Sequence, residues 1–315
     1  MATSSSPPRV VVVGSTMIDL TAFASRIPRS GETLVGERFQ MGFGGKGANQ
    51  AVMARLLDAD VVMVNCLGDD AYGDMTLENF ASFGIDTAHV YRVPGASGVA
   101  PIWVEPDGSN RIIIIPGANH ELTAGQAARS VQETPDAGVV VGQLEIPQEV
   151  TAAAFAAARE AGAITILNPA PAAPLSNDIL ELSDWLIPNE VEFEMLTGVP
   201  PDSDDALTGF ARETGSRLLV TLGDEGAALV SPGLDRVIRI GPPRVDPVDT
   251  TGAGDAFVGA FVVGLASGLA ERDAVRLGNA CAADSVTRPG TQSSFPRPEQ
   301  TERFLAEIRS SPGQA

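Results

Sequence analysis

Lysine is nearly missing from this chain: of its 21 basic residues one is lysine, Lys46, and all the others are arginine. Arginine presents a broad planar fork, whereas lysine is a compact point charge on a flexible stem. Lys46 is therefore a candidate for a place that a guanidinium does not fit, the alternative being chance survival of a drift toward arginine. Cysteine and histidine are also scarce, with two of each. No C-x-x-C pair or disulfide spacing exists, which excludes a disulfide-stapled scaffold and a cysteine-based zinc site. Cys66 sits in an apolar strand-like run and Cys281 in an Ala-rich helical one, so both read as small core residues. His89 and His120 lie far apart and read as ordinary surface or loop residues.

Long apolar runs are absent as well. None reaches the ~18 residues of a membrane span, and the leader MATSSSPP has no apolar signal core. A cytoplasmic protein in a reducing compartment is expected. Positive charge is short overall, with a formal net charge of −19, which argues against nucleic acid or an anionic membrane as a partner. A phosphate-bearing ligand would have to be held locally, by N–H groups, a divalent cation and a few placed cations. The P-loop pattern GxxxxGK[ST] is missing too, which excludes the commonest cradle for nucleotide phosphates.

What the chain does hold is glycine (33), proline (23) and a 44% hydrophobic fraction over 315 residues. That suits a loop-punctuated globular enzyme with ample core. Apolar strand runs at Arg9 to Gly14, Val61 to Cys66, Gly138 to Val141, Ile164 to Leu167, Trp185 to Ile187 and Leu218 to Thr221 punctuate the chain. From Val61 onward they alternate with helical segments near 71–82, 123–133, 147–161, 189–197 and 204–214. The alternation predicts an α/β, layered αβα domain with a mostly parallel central sheet, closed by helices near 252–268, 271–286 and 298–309. One catalytic domain over 9–309 is expected, with disordered ends at 1–8 and 310–315. Two stretches, Thr33 to Met41 and Gly98 to Ile115, read as β without helices between, the second a hairpin turning at Glu105-Pro-Asp-Gly108. They predict a small β-sheet lid, with strands from about 15–45 and 95–118, whose apolar surface needs a second partner face such as another subunit. The alternative is an extension of the main sheet's edge.

The segment Val248 to Phe257, VDTTGAGDAF, sets a carboxylate, Asp255, behind a turn of small residues, Gly252, Ala253 and Gly254. The apolar residues that follow have helical spacing, so the turn opens a buried helix. Such a start offers unpaired N–H groups and roughly half a positive charge to an anion. An acid on an anion-binding turn suits phosphoryl transfer: the N–H groups hold developing charge while the Asp takes a hydroxyl proton. Read alone, the segment is equally a Gly-rich helix start with an ordinary first-turn acid. Gly42 to Gly47, GFGGKG, satisfies GxGxxG. The dinucleotide fingerprint belongs at the first strand-to-helix turn, however, and here the first strand ends at Gly14-Ser15-Thr16. GFGGKG is instead a second helix N-terminus, and it carries Lys46. Two Gly-rich helix starts, one with the sole lysine and one with an acid, suit two substrates meeting between helix ends.

Together, Val248 to Phe257 and the 42–51 segment GFGGKGANQA resemble the ribokinase family of carbohydrate kinases. Agreement runs in fixed order from Val11-Val-Val-Gly-Ser15 to Thr287-Arg-Pro-Gly-Thr-Gln-Ser-Ser294. The resemblance implies a ribokinase-like fold, a lid that pairs with a second subunit's lid in a homodimer, and ATP-dependent phosphorylation of D-ribose at its 5-hydroxyl. It makes Asp255 the general base and the N–H groups of Gly252, Ala253 and Gly254 an anion hole. Asp19 would accept hydrogen bonds from sugar hydroxyls, since a carboxylate suits two adjacent O–H donors. Gly45, Lys46 and Asn49 match the sugar-side loop, Glu145 the carboxylate near the sugar's other end, and Ile112 an apolar lid contact.

On the nucleotide side the resemblance makes Asn189 and Glu192 an Asn-x-x-Glu motif that organises Mg²⁺, a cation that prefers hard oxygen ligands. Read alone, the acid-rich 189–194 stretch is an ordinary helix N-terminus. Thr221, Gly223 and Gly226 match the loop over the ATP phosphates and ribose, and Asn279 an adenine-pocket position. Asp249, the Thr251 carbonyl, the carbonyls of Ser285, Arg288 and Gly290, and Ser294 resemble a potassium site that would brace the anion-hole loop.

One position departs from the pattern: Met17 stands where many relatives carry Asn. The lost amide would loosen selection at one sugar position and admit 2-deoxyribose; alternatively Met17 merely fills space. Other readings stay open. The chain could be a kinase of the same fold for a nucleoside such as adenosine, for fructose or for a keto-deoxy acid, or a sugar-binding sensor without turnover. A sensor gains nothing from a general base, and an NAD-dependent enzyme lacks its first-strand fingerprint.

Overall fold

The computed structural model describes residues 7–231, 233 and 236–310. Most of the ends expected to be disordered, 1–6 and 311–315, lie outside the described residues. In chain order the strands are β1 Arg9–Val13, β2 Met17–Phe23, β3 Arg38–Gly44, β4 Asp60–Gly68, β5 Asp86–Val93, β6 Val99–Val104, β7 Asn110–Ile112, β8 Val139–Gly142, β9 Ile164–Leu167, β10 Trp185–Leu186, β11 Arg217–Thr221, β12 Ala227–Val230 and β13 Ile238–Ile240. The helices are α1 Lys46–Leu56, α2 Ala71–Phe83, α3 Ala124–Gln132, α4 Gln148–Glu160, α5 Asn177–Glu181, α6 Glu190–Thr197, α7 Asp204–Thr214, α8 Ala253–Ala266, α9 Glu271–Ser285 and α10 Pro298–Ser310.

The main sheet runs β13-β12-β11-β10-β9-β8-β1-β4-β5, parallel except at β11–β12 and β12–β13. Its central strands are mostly apolar because helices cover both faces. In β1, Val10 and Val12 pack with residues of α1, α8 and α9, while Val11 and Val13 pack with residues of α3, α4 and α7. A separate sheet, β3-β2-β6-β7, takes in the two helix-free stretches and excludes their being an extension of the main sheet. This is the predicted ribokinase-like fold: a mostly parallel sheet between helical layers, with a small second sheet. No helix among the described residues is long and apolar enough to cross a membrane.

Details depart from the sequence reading. The strand expected at Thr33 to Met41 begins only at Arg38; before it, Glu32 pairs with Arg26 and Gly31 takes a positive φ, which holds that stretch in a loop. Strands β5, β12 and β13 are unforeseen. β5 and β13 are the sheet's edges, so their sequences, DTAHVYRV and IRI, stay mixed in polarity, and β12, AALV, is half alanine, a residue depleted in strands. His89 lies in β5 opposite Val64 and 3.8 Å from Glu133, so it is a strand residue and not a loop one. Cys66 and Cys281 are buried, as small core residues should be.

Strand order turns at β1. The chain first adds β4 and β5 on one side, then β8 onward on the other. In open α/β sheets the crevice beyond the strand C-termini at such a switch receives ligands. Gly14-Ser15 leave β1 at that point, and Gln143-Leu144-Glu145 leave β8.

Candidate active site

Two helix N-termini are brought to this crevice. Gly252 takes φ +77°, where a side chain would be strained, and α8 starts immediately after it. Asp255 therefore stands in the first turn of α8 and is 6% exposed. Its Oδ2 accepts from Asn49 Nδ2 at 2.8 Å and its Oδ1 from Gln50 Nε2 at 3.2 Å. Both donors belong to the opening turns of α1. That helix starts where it does because Gly45 takes φ +87° and Gly47 lies so close to β1's end that a Cβ would stand 2.6 Å from Ser15 N. The two helices touch at Gly259, where a Cβ would come within 2.7 Å of the Gln50 carbonyl.

Between the helix ends opens a cavity of about 160 Å³, lined by Lys46, Asn189, Glu192, Thr221, Gly252 and Asp255 among others. Burial opposes the charge of Lys46, but Asp255, Glu145 and Glu192 more than offset it and hold the ammonium above its ordinary range. The sequence places Lys46 on the sugar-side loop. Its backbone N–H does face that side, donating to Glu145 Oε2 at 2.9 Å, while its side chain lines the cleft with Asn189 and Glu192.

Asp19 projects from β2 against Gly44, where a Cβ would come within 2.5 Å of its carboxylate. Burial, and then the charges of Glu145 and Asp255, push its pKa up to about 7. No group among the described residues donates a hydrogen bond to it, so a mostly buried acceptor is open to a ligand's hydroxyls. Ser15 Oγ donates to Glu145 Oε2, which ties the ends of β1 and β8 together. Sheet register sets Thr21 beside Ile102 and Ile102 beside Ile112, so Ile112 shares the face of Asp19. Ile112 is half exposed there and does not line the cleft. Met17 is buried, its Sδ 3.8 Å from Asn119 Nδ2 and packed against Gly98.

Asn189 and Glu192 form a reciprocal helix cap. Asn189 Oδ1 accepts from Glu192 N and Glu192 Oε2 from Asn189 N, both at 2.8 Å. Burial raises the Glu192 pKa. Its second oxygen takes no hydrogen bond among the described residues, and the side chain lines the cleft. No cluster of three or more acidic, Cys or His side chains among the described residues could cage a metal. The set fits an ion that keeps its waters and arrives with nucleotide phosphates, as Mg²⁺ does. Thr221 lines the cleft and bridges to Asn189, and Gly223 and Gly226, both at positive φ, shape the turn after it. Asn279 is buried away from this cavity, donating to the Ile240 carbonyl at 2.8 Å.

Asp249 joins the two halves of the expected cation site, accepting from Thr251 N and Gly290 N at 2.9 Å each. Those bonds outweigh burial and lower its pKa. The Ser285 carbonyl accepts a long bond from Arg288 N, while the Ser294 carbonyl accepts from the Arg288 guanidinium and its hydroxyl donates to Thr291 O. The acid and nearby carbonyls fit a weakly held monovalent ion, with Ser294 committed elsewhere.

Sequence reasoning does not single out Ser15, Gln50, Gln143, Asn168 or Gln292, although each is part of the constellation. Four of them stand inside or beside the motifs already quoted, and that adjacency is the only signal they carry. Asn168 carries none.

A ribokinase-like fold whose switch-point crevice holds an acid in the first turn of a glycine-led helix defines a phosphotransferase. The model of the pfkB family of carbohydrate kinases matches residues 7–298, and the chain belongs to that family. It is 39% identical over 303 residues to a deoxyribokinase of Salmonella typhi, covering 94% of this chain and 98% of the relative. It is 40% identical over 296 residues to a ribokinase of Mus musculus, covering 91% of each. A structure of Arabidopsis thaliana ribokinase complexed with ribose and ATP superposes with a TM-score of 0.87 at 32% identity, covering 96% of this chain and 99% of that one.

Proposed function

We propose that this carbohydrate kinase transfers the γ-phosphoryl group of ATP to the 5-hydroxyl of D-ribose, giving ribose 5-phosphate and ADP. The observation that carries the reading is Asp19, a mostly buried carboxylate with no donor among the described residues, raised in pKa by the charge of Asp255 among others. Asp19 and Glu145 hold sugar hydroxyls, which leaves the 5-hydroxyl at Asp255. Asp255 accepts its proton as that oxygen attacks the γ-phosphorus. The N–H groups of Gly252, Ala253 and Gly254 and the Lys46 ammonium receive the charge on the phosphoryl oxygens. Gly45 and Asn49 complete the sugar side, with Ile112 covering the sugar from the small sheet. Thr221, Gly223, Gly226 and Asn279 serve the nucleotide.

Mg²⁺, when bound, neutralises phosphate charge, and Asn189 and Glu192 hold it through its waters. Potassium at Asp249 and the carbonyls of Thr251, Ser285, Arg288 and Gly290, with Ser294 at the margin, braces the loop before α8. The small sheet makes the enzyme a homodimer.

The test is ADP release with Mg-ATP, K⁺ and D-ribose by the wild type and by Asp255→Asn. The variant is expected to lose ~10²–10⁴-fold in turnover with ribose affinity retained. Near-normal turnover would sink the assignment. A second reading, 2-deoxyribose as the preferred acceptor, is favoured by Met17: its thioether gives no donor to a 2-hydroxyl, so the site does not reject an acceptor lacking one. Running 2-deoxyribose and adenosine beside ribose separates the cases by their kcat/KM ratios.

A further inference from the structure

The carboxylate of Asp255 is held by amide donors, Asn49 Nδ2 on one oxygen and Gln50 Nε2 on the other. A carboxylate only accepts, so both amides must turn their NH₂ groups inward and their carbonyls away. A primary amide has nearly the same shape when turned over. Its direction is therefore fixed by its other partners and not by packing.

Those partners are further amides. Asn49 Oδ1 accepts from Gln292 Nε2 at 3.0 Å, and Gln292 Oε1 accepts from Asn79 Nδ2 at 3.0 Å. Gln50 Oε1 accepts from Gln143 Nε2 at 2.6 Å, while Gln50 Nε2 also donates to Asn168 Oδ1 at 3.1 Å. Asn168 in turn donates to the Ile187 carbonyl at 2.8 Å, a backbone acceptor that cannot turn round. Gln143 gives an independent sign of what this arrangement favours. Its Oε1 is buried without a partner among the described residues, beside Gly14, where a Cβ would stand 2.0 Å away. Turning that amide over would set two carbonyl oxygens face to face at Gln50. The donor toward Gln50 is kept although it leaves an acceptor unpaired.

We propose that Gln292 and Gln143 are positioning residues that hold the amides of Asn49 and Gln50 donor-first on Asp255, keeping the carboxylate's free lone pairs aimed at the acceptor hydroxyl. Neither residue lines the cleft. The inference rests on Asp255 being the base of the proposed reaction. It also gives the 285–294 segment a route to the chemistry, because Gln292 opens the short turn Gln292–Ser294 and reaches the base through Asn49.

The test compares Gln292→Glu with Gln292→Met, and runs Gln143→Glu and Asp255→Asn beside them. Glu keeps the size and the acceptor but removes the donor, so Asn49 turns its NH₂ toward position 292 and its carbonyl toward Asp255. Met removes both polar atoms and leaves Asn49 free to keep its bond to Asp255. Gln292→Glu is expected to lose ~10²-fold in kcat, with KM for ribose changed by less than ~3-fold. Gln292→Met is expected to lose ~10-fold or less. The deficit of Gln292→Glu should narrow as pH is lowered, because a protonated carboxyl there donates again. A merely structural role predicts the opposite order, with Met the worse and no dependence on pH, and that order would overturn the proposal. Gln143→Glu makes the same comparison from the other branch, and it decides the matter should Gln292→Glu not fold. Turnover lost in Asp255→Asn but kept in both Glu variants overturns the positioning role alone. Turnover kept in Asp255→Asn overturns the base, and the positioning role with it.

Discussion

At the scale of single residues, Asp19 feels the charges of Glu145 and Asp255, and the one lysine answers the latter two. Burial and those two charges keep the Asp19 proton in place up to about pH 7 in the folded chain, against an ordinary value of 3.8. Between those values the native state binds a proton that the unfolded chain has released, so this group's contribution to stability falls as pH rises through the window. A neutral isostere removes that loss. Ligand-free Asp19→Asn is expected to melt above the wild type at pH 8, with the difference shrinking toward pH 4. Its ribose affinity at pH 8 should fall by ~10²-fold, because a carboxylate accepting two hydroxyls is replaced by an amide with one carbonyl. Calorimetric melting at both pH values and a binding titration check this. A melting difference that is the same at pH 4 and pH 8 would remove Asp19 as the source.

At the scale of elements, the chemistry depends on how closely α1 approaches α8. Gly259 permits the contact: a Cβ there would meet the Gln50 carbonyl at 2.7 Å and Met53 Cβ at 2.8 Å. Gly259→Val therefore has to part the helices. A stability loss of about 1–3 kcal/mol is expected from the overpacking. Turnover should fall more steeply than that loss implies, since Asn49 and Gln50 move away from Asp255. Urea unfolding and kcat on the folded fraction test this; a stability loss with unchanged kcat would show that the crossing is structural only. The same elements explain what the sequence makes legible. Asp255, Gly252 and the GFGGKG turn are local patterns: a glycine at positive φ, an acid one turn on, an apolar helix behind. The association of Asp19 with Glu145 is not local, and it is legible only through the family resemblance; the bond from Ser15 to Glu145 is not legible at all. The amides behind Asp255 come from two helices, the ends of two strands and a short turn. No spacing in one dimension gathers Asn79, Gln143, Asn168 and Gln292, and Gln and Asn are unremarkable wherever they stand. Edge strands escape for a related reason: β5 faces solvent along one side, so its composition is mixed and its period is blurred.

At the scale of the whole molecule, the small sheet has one face toward the site and an opposite one that stays partly exposed among the described residues. Asp19 and Ile112 share the first face. The register places Leu20, Met41, Phe39, Pro101 and Trp103 on the opposite one, where Phe39 is 64% exposed and Met41 42%. Both outer strands, β3 and β7, also keep an open hydrogen-bonding edge. An exposed apolar sheet face with free edges calls for a partner, and a second copy of the same sheet supplies a self-complementary one through a two-fold axis. The chain's net charge of −19 opposes association at long range, so the apolar contact has to outweigh it, and added salt should tighten the pair by screening that repulsion. Sedimentation equilibrium is expected to show a dimer at micromolar concentration, more stable at 0.5 M than at about 0.05 M salt. Met41→Asp combined with Phe39→Asp should give a monomer. Because these residues lie on the face away from Asp19, the monomer should still fold and bind nucleotide, while its KM for sugar rises as the unsupported sheet moves away from the cleft. A double variant that sediments as the wild type does would place the interface elsewhere; one that is monomeric with an unchanged KM would separate the dimer from the closing of the site.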